Sequence, residues 1–210
     1  MLLSPAFAVQ TANNEVARMG EIALKSLKAS ISAITNKSLE DIETVAKCEK
    51  KLDDMQEALT EFLIKVDNLS LSESQKKHIN NLFNMVTDIE RVGDHADNLS
   101  ENAKYMIDND LEFSDLGKED LAEISKDSIE AFEVALNARS GDALRAVRKV
   151  NKLEDEVDML EDEMREKHIE RLSKGDCNPQ AGIAFLDIIS NLERISDHAT
   201  NIAGYVKNEI

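Results

Sequence analysis

The chain is predicted to be all-α, built as two tandem antiparallel three-helix bundles with six helices in total. Three observations lead there. First, only 4% of the 210 residues are aromatic, Gly and Pro number 7 and 2, and the wealth of Leu, Ile, Ala, Glu, Asp and Lys favours helices. Second, apolar residues recur three and four apart almost throughout, and no stretch shows the period-two alternation of a strand. Third, the segment Asp88-Ile-Glu-Arg-Val-Gly-Asp-His-Ala-Asp-Asn98 returns 103 residues further on as Asn191-Leu-Glu-Arg-Ile-Ser-Asp-His-Ala-Thr-Asn201, identical at six of eleven positions. A duplicated unit with one specialised helix per copy accounts for this. The identical residues are mostly polar, which packing alone does not demand, so function is sought in this segment.

The elements follow in order. Ser4-Pro5 suits the opening of a first helix, with the Thr11 region as the alternative start, and that helix runs to about Asn36. Ser38-Leu-Glu-Asp41 resembles a capping box and opens a second helix to about Asn68, and Ser72-Glu-Ser-Gln75 repeats the signal for a third, ending near Asn109. Residues 109–118, acidic and containing Gly117, form the hinge between the copies. A fourth helix reaches about Arg139, Ser140-Gly-Asp142 turns into a fifth, and Lys174-Gly-Asp-Cys-Asn-Pro179 separates that from a sixth beginning at Pro179. Short connections make neighbouring helices antiparallel, which gives one bundle over residues 1–112 and a second over 113–210, packed side by side or nearly end to end.

Charge narrows the partners. With 42 acidic and 25 basic residues the formal charge is −17, which disfavours nucleic acid and anionic membrane surfaces and favours cations and basic protein patches. Cys48 in a helical pattern reads as a small buried hydrophobe and Cys177 as an incidental loop thiol, with no zinc-type spacing between them. Nothing requires an oxidising compartment, so a cytoplasmic location is expected. The start, Met1-Leu-Leu-Ser-Pro-Ala-Phe-Ala-Val9, lacks a basic region and a long apolar run, so neither a signal peptide nor membrane insertion is expected.

Four acidic pairs share one register. The second helix has an apolar seam of Val45, Cys48, Leu52, Met55, Leu59, Phe62 and Val66, bordered by Glu49 and Asp53. In the third, Ile79, Leu82, Val86, Ile89, Gly93 and Ala96 are bordered by Glu90 and Asp94. Glu154 and Asp158 flank Val150, Leu153, Val157 and Leu160 in the fifth, and Glu193 and Asp197 flank Ile189, Leu192, Ser196 and Ala199 in the sixth. Residues four apart stack on one helix face, and two carboxylates so placed repel by roughly 0.2–0.5 kcal/mol in an isolated helix. A single such pair in so acidic a chain is ordinary solvated surface. Two pairs per copy in the same register, next to a repeated Arg-x-x-Asp-His-Ala, point to a bound cation. The oxygen donors suit Mg, Ca, Mn or Fe. Asn98 and Asn201 extend the stripe and could add amide oxygens, whereas Asp97 is replaced by Thr200 in the second copy.

Arg91 and Arg194 read as surface ion-pair partners. His95 and His198, turned about 100° from the neighbouring aspartate, read as supporting or packing residues, and His78 and His168, without repeat partners, as incidental. None of the four histidines has a Glu three residues before it, which argues against a di-iron oxidase of the ferritin type. No phosphate loop or nucleophile context stands out, so no catalytic or organic cofactor site is expected and the chain is read as a non-enzyme.

At these residues the chain resembles the PhoU family of phosphate-signalling proteins. The resemblance implies tandem three-helix bundles, a cytosolic role in regulating phosphate uptake, and iron or zinc among the candidate metals, held at Glu49/Asp53, Glu90/Asp94, Glu154/Asp158 and Glu193/Asp197. The Glu-Arg-x-x-Asp-His-Ala-x-Asn wording, with Asn14-Glu-Val-Ala-Arg-Met-Gly20, is most similar to the PhoU-like domain that follows the membrane part of bacterial sodium/phosphate cotransporters. That implies a metal-binding regulatory domain whose partner is the membrane part of such a transporter or another phosphate-uptake protein, with a homo-oligomer also compatible. A free-standing PhoU-type regulator and a metal-free helical adaptor are the alternatives.

Overall fold

The structure, a computed structural model, describes residues 4–209 and consists of six long helices, with no strand among the described residues. Helix α1 (Pro5–Asn36) is opened by Ser4, whose hydroxyl accepts from the Phe7 N–H, with Pro5 in the first turn. At α2 (Leu39–Asp67) the Ser38 hydroxyl accepts from the Asp41 N–H. The reciprocal bond of a capping box does not form there, because the Asp41 carboxylate instead accepts from Ser32 at 2.7 Å. Before α3 (Glu73–Asp108) the longer Gln75 closes a complete box with Ser72. Helix α4 (Asp115–Leu136) ends earlier than expected and is followed by a 3-10 turn, Ala138–Ser140. Helix α5 (Ala143–Lys174) stops at Gly175, whose φ of 77° lets Asp176 and Gly175 donate back to Arg171 and Leu172. Helix α6 (Pro179–Lys207) is capped by Asn178.

Helices α1 to α3 pack as one bundle and α4 to α6 as another, with α3 against α6 and α1 against α4. The bundles therefore lie side by side. Helices α3 and α6 run antiparallel along most of their length: Asn81 near the start of α3 donates to the carbonyl of Tyr205 near the end of α6, and Asn102 near the end of α3 donates to Asp187 near the start of α6. One hydrophobic core runs through both bundles, from Ala8 and Leu27 through Leu52, Ile89 and Phe132 to Phe185, Ile188 and Ile202. Lys28 and Glu133 pair across the second contact between the bundles, α1 against α4.

The buried seams drift from a strict heptad. In α2 the fully buried position is Leu63, with Phe62 only partly buried, and beyond Val157 the buried face of α5 passes to Glu161, Met164 and His168, leaving Leu160 partly buried. A straight helix turns 3.6 residues per turn, so a stripe spaced at 3.5 drifts by about 20° per heptad and the buried position passes to the next residue along. No described helix is long and apolar enough to cross a membrane.

Candidate metal centre

The seams bury one face of each outer helix, so the acidic stripe beside each seam lands on the edge where an outer helix meets a central one. Glu49 and Asp53 of α2 thus face Glu90 and Asp94 of α3, while Glu154 and Asp158 of α5 face Glu193 and Asp197 of α6. The eight anticipated residues border these two edges, four per bundle, and among the described residues only Glu154, Asp158 and Asp197 bring oxygens close enough together to share one ion.

In the first bundle, burial pushes the Glu49 carboxyl up to about 7, helped by the charges of Asp53, Asp94, Asp97 and Glu90. Burial also raises Glu90, with Asp94 and Asp53 adding to the effect against Arg91. Asp97 is raised by burial and by Glu101, Asp94 and Asp53. Asp97 is therefore a fifth carboxylate of this site, where the second copy has Thr200. One Glu49 oxygen, Oε2, is buried without a hydrogen-bond partner and lies close to α3 beside Gly93, whose missing Cβ makes room for Leu52. A Cβ there would lie 3.4 Å from that oxygen and 2.5 Å from Leu52 Cδ1.

In the second bundle Glu154, Asp158 and Asp197 each offer an oxygen such that the three lie within 4.8 Å of one another. Oxygens on opposite sides of one hard divalent cation are separated by about 4 to 5 Å, so this trio fits a single ion with little movement. Glu193 stands outside the trio but within its field: burial and the charges of Asp197, Asp158 and Glu161 raise its carboxyl, against Arg194. Glu154 and Asp158 are raised too, by burial first and then by neighbouring acids. Gathered, partly desolvated carboxylates with an unpartnered buried oxygen are costly on their own and match what an oxygen-seeking cation satisfies. Hard oxygen donors and no thiolate make the set suitable for such an ion.

Around these sites, Arg91 pairs with Asp94 at 3.0 Å on the surface, and Arg165 pairs with Glu161. The motif histidines face the other way, into the α3–α6 seam. His95 Nδ1 lies 2.8 Å from Asn191 Oδ1, and His198 Nδ1 lies 2.7 Å from Asp88 Oδ1. Asn98 and Asn201 donate to the same two oxygens, each at 3.2 Å. Their amides thus cross the seam and do not extend the carboxylate stripe, contrary to expectation. Tyr205 adds a third donor to Asp88 at 2.8 Å. Burial raises the Asp88 carboxyl, but the bonds from His198, Tyr205 and Asn201 outweigh it and hold it below its ordinary range.

Two histidines set aside as incidental have partners. His78 pairs with Glu209 at 2.9 Å, where Arg139 and Asn81 also bind that carboxylate. His168 is buried and stacks on Phe185 with ring centroids 5.0 Å apart. The 3.6-residue periodicity placed His168 on α5, and continuing the buried stripe past Val157 would have found it.

A family model described as the PhoU domain matches residues 16–103 and again residues 120–206. The phosphate-specific transport system accessory protein PhoU homolog 1 of Thermotoga maritima is 23% identical over 128 residues, which are 61% of this chain and 54% of that protein, so the match spans about half of its length. The corresponding PhoU homolog of Clostridium acetobutylicum is 26% identical over 198 residues, covering 90% of this chain and 86% of that protein. The crystal structure of PhoU from Pseudomonas aeruginosa superposes with a TM-score of 0.88 over 96% of each chain at 20% identity, which shows the shared fold. Two copies of the domain within one chain, each on one three-helix unit, establish that this protein belongs to the PhoU family.

Proposed function

We propose that this protein is a PhoU-type regulator of phosphate uptake, a non-enzymatic accessory partner of a phosphate transporter that acts in the cytoplasm and binds metal cations at two carboxylate sites. The observation that carries the metal reading is the gathering of four paired acids per bundle at equivalent edges, one oxygen of Glu49 being buried and unpartnered. A cation at each site would supply the positive charge that offsets carboxylate repulsion and would fix α2 against α3, and α5 against α6. Magnesium, calcium, manganese, iron and zinc are the candidates. Full-length relatives named as accessory proteins of phosphate-specific transport systems favour an accessory regulator over a domain of a sodium/phosphate cotransporter, which rests on motif wording alone.

The test has two readouts. Protein purified without added ions is analysed for metal, stripped with chelator, and melted with and without added divalent ions. A ligand present at a hundred times its Kd stabilises the folded state by about 2.7 kcal/mol, so stripping should lower the melting temperature and re-addition should restore it. In cells lacking their own copy, Glu90→Gln/Asp94→Asn/Glu193→Gln/Asp197→Asn should lose control of phosphate uptake along with bound metal. Unchanged melting and unchanged uptake control would leave only a metal-free helical adaptor.

A further inference from the structure

The geometry points to His95 and His198 as positioning residues that couple the two carboxylate sites across the bundle interface. This rests on the metal reading above and concerns how the sites communicate. His95 immediately follows Asp94 of the first site, and its Nδ1 bonds Asn191, two residues before Glu193 of the second. His198 immediately follows Asp197 of the second site, and its Nδ1 bonds Asp88, two residues before Glu90 of the first. Each site is thus tied to the other by a bond that begins beside one of its own carboxylates. The two rings lie with centroids 5.6 Å apart at the centre of the seam.

The atoms fix the direction of these bonds. Asn191 uses its Nδ2 to donate to the Asp187 carbonyl at 2.8 Å, so its Oδ1 is the acceptor and His95 carries its proton on Nδ1. Asp88 accepts from His198, Asn201 and Tyr205. The seam is therefore a directed set of hydrogen bonds between two long helices, flanked by Ile89, Val92, Ile195 and Ile202, all fully buried. A shift of Glu90 and Asp94 relative to α2, such as closure around an ion would require, moves His95 and the Asp88 carboxylate with the same helix. Helix α6 must follow or lose its bonds, and Glu193 and Asp197 travel with it.

The experiment is a coupling cycle read by Mn²⁺ titration calorimetry of the full chain. Abolishing the second site with Glu193→Gln/Asp197→Asn should change Mn²⁺ affinity at the first by about fivefold or more, the lower end of ordinary allosteric coupling. In a His95→Leu/His198→Leu background the same change should leave the first site's affinity within about twofold. His95→Asn/His198→Asn, which returns an N–H near the Nδ1 position, should recover the coupling, an outcome that a merely structural role would not produce. If the double leucine variant does not fold by circular dichroism, His95→Leu and His198→Leu are compared singly: each should lower the coupling below that of the wild type, and unchanged coupling in both would overturn the proposal. Folded wild-type protein that takes up no Mn²⁺ would overturn the metal reading and the coupling with it. Two sites that bind Mn²⁺ but show no mutual effect, or an effect that survives loss of both imidazoles, would overturn the coupling alone.

Discussion

Replacing Glu49 with Gln should stabilise the metal-free protein at pH 8 and leave it unchanged at pH 4. In the folded chain burial and four neighbouring acids push the Glu49 carboxyl from its ordinary 4.5 up to about 7. A folded state that holds a proton more tightly than the unfolded chain loses stability as pH rises between the two values. The penalty is therefore absent below about 4.5, grows up to about 7 and is complete above it. Taken whole, the shift would correspond to about 3 kcal/mol at 1.36 kcal/mol per pH unit. The side chain is only half-buried, and solvent screening brings the penalty to the order of 1 kcal/mol. Glutamine keeps the shape and removes the charge, so urea unfolding of chelator-treated protein should give a gain of that size at pH 8, or about 2–4 °C in Tm for a chain of this length. With a saturating divalent ion the sign should reverse, because the same change removes a ligand. A variant less stable than wild type at pH 8 under chelation, or a difference between the two that does not grow from pH 4 to pH 8, would refute this account of the site.

Asp88→Ala should cost roughly 2–4 kcal/mol in chemical denaturation, because His198, Asn201 and Tyr205 all lose their acceptor, and Asn191→Ala should cost less. The folded-state pKa of Asp88 is lowered, so its stabilisation is present at neutral pH and fades as acid carries the pH down through that value. The gap between wild type and Asp88→Ala should narrow accordingly. Gly93→Ala should destabilise by about 1–3 kcal/mol, since its Cβ would sit 2.5 Å from Leu52 Cδ1. Gly204→Ala, with nothing within 4 Å of the added carbon, should instead gain up to about 1 kcal/mol of helix propensity in the same assay. Glu209→Ala should cost about 1–3 kcal/mol, because His78 loses its ion-pair partner and Arg139 and Asn81 each lose one of their acceptors.

Most helix limits were readable where a local residue enforces them, the exception being the start of α4, where Ser114 caps the helix and places Gly117 inside it, within the stretch 109–118 expected to be a hinge. Ser4, Ser38, Ser72, Asp142 and Asn178 all cap as their side chains dictate, and Gly175 ends α5. The end of α4 was placed at Arg139 and lies at Leu136, because no glycine or proline marks it and a 3-10 turn continues the spacing. The carboxylate stripes were readable for a related reason: a stripe next to a buried seam must border the neighbouring helix. What the sequence hides is the identity of a partner on the far side of a helix. His95 could be placed about 100° from the acids and Asn98 was expected on their stripe, but that both side chains bond Asn191 depends on α3 and α6 lying antiparallel, which no local pattern states. Asp88 and Asn191 drew no weight because they differ between the copies, and they are the acceptors on which the seam depends.

That difference bears on why the motif repeats as it does. Two repeat-related helices packed antiparallel meet about an approximate twofold axis, so each motif residue contacts the counterpart region of the other copy, as in an isologous interface between identical subunits. His, Asn and Ala must then suit both halves of the seam at once, while Glu and Asp must suit two equivalent edges with α2 and α5. The retention of these residues in both segments follows from this double duty. At the acceptor position the symmetry is broken: Asp88 receives three donors and carries a charge, and Asn191 receives two and spends its amide on Asp187. The carboxylate edges are unequal in the same sense, with Asp97 adding to the first site and Thr200 standing at its equivalent in the second. The extra acid Asp97 therefore lies on the same helix as the charged acceptor Asp88, so α3 carries both the added carboxylate at its outer edge and the one charged acceptor that His198, Asn201 and Tyr205 share across the seam.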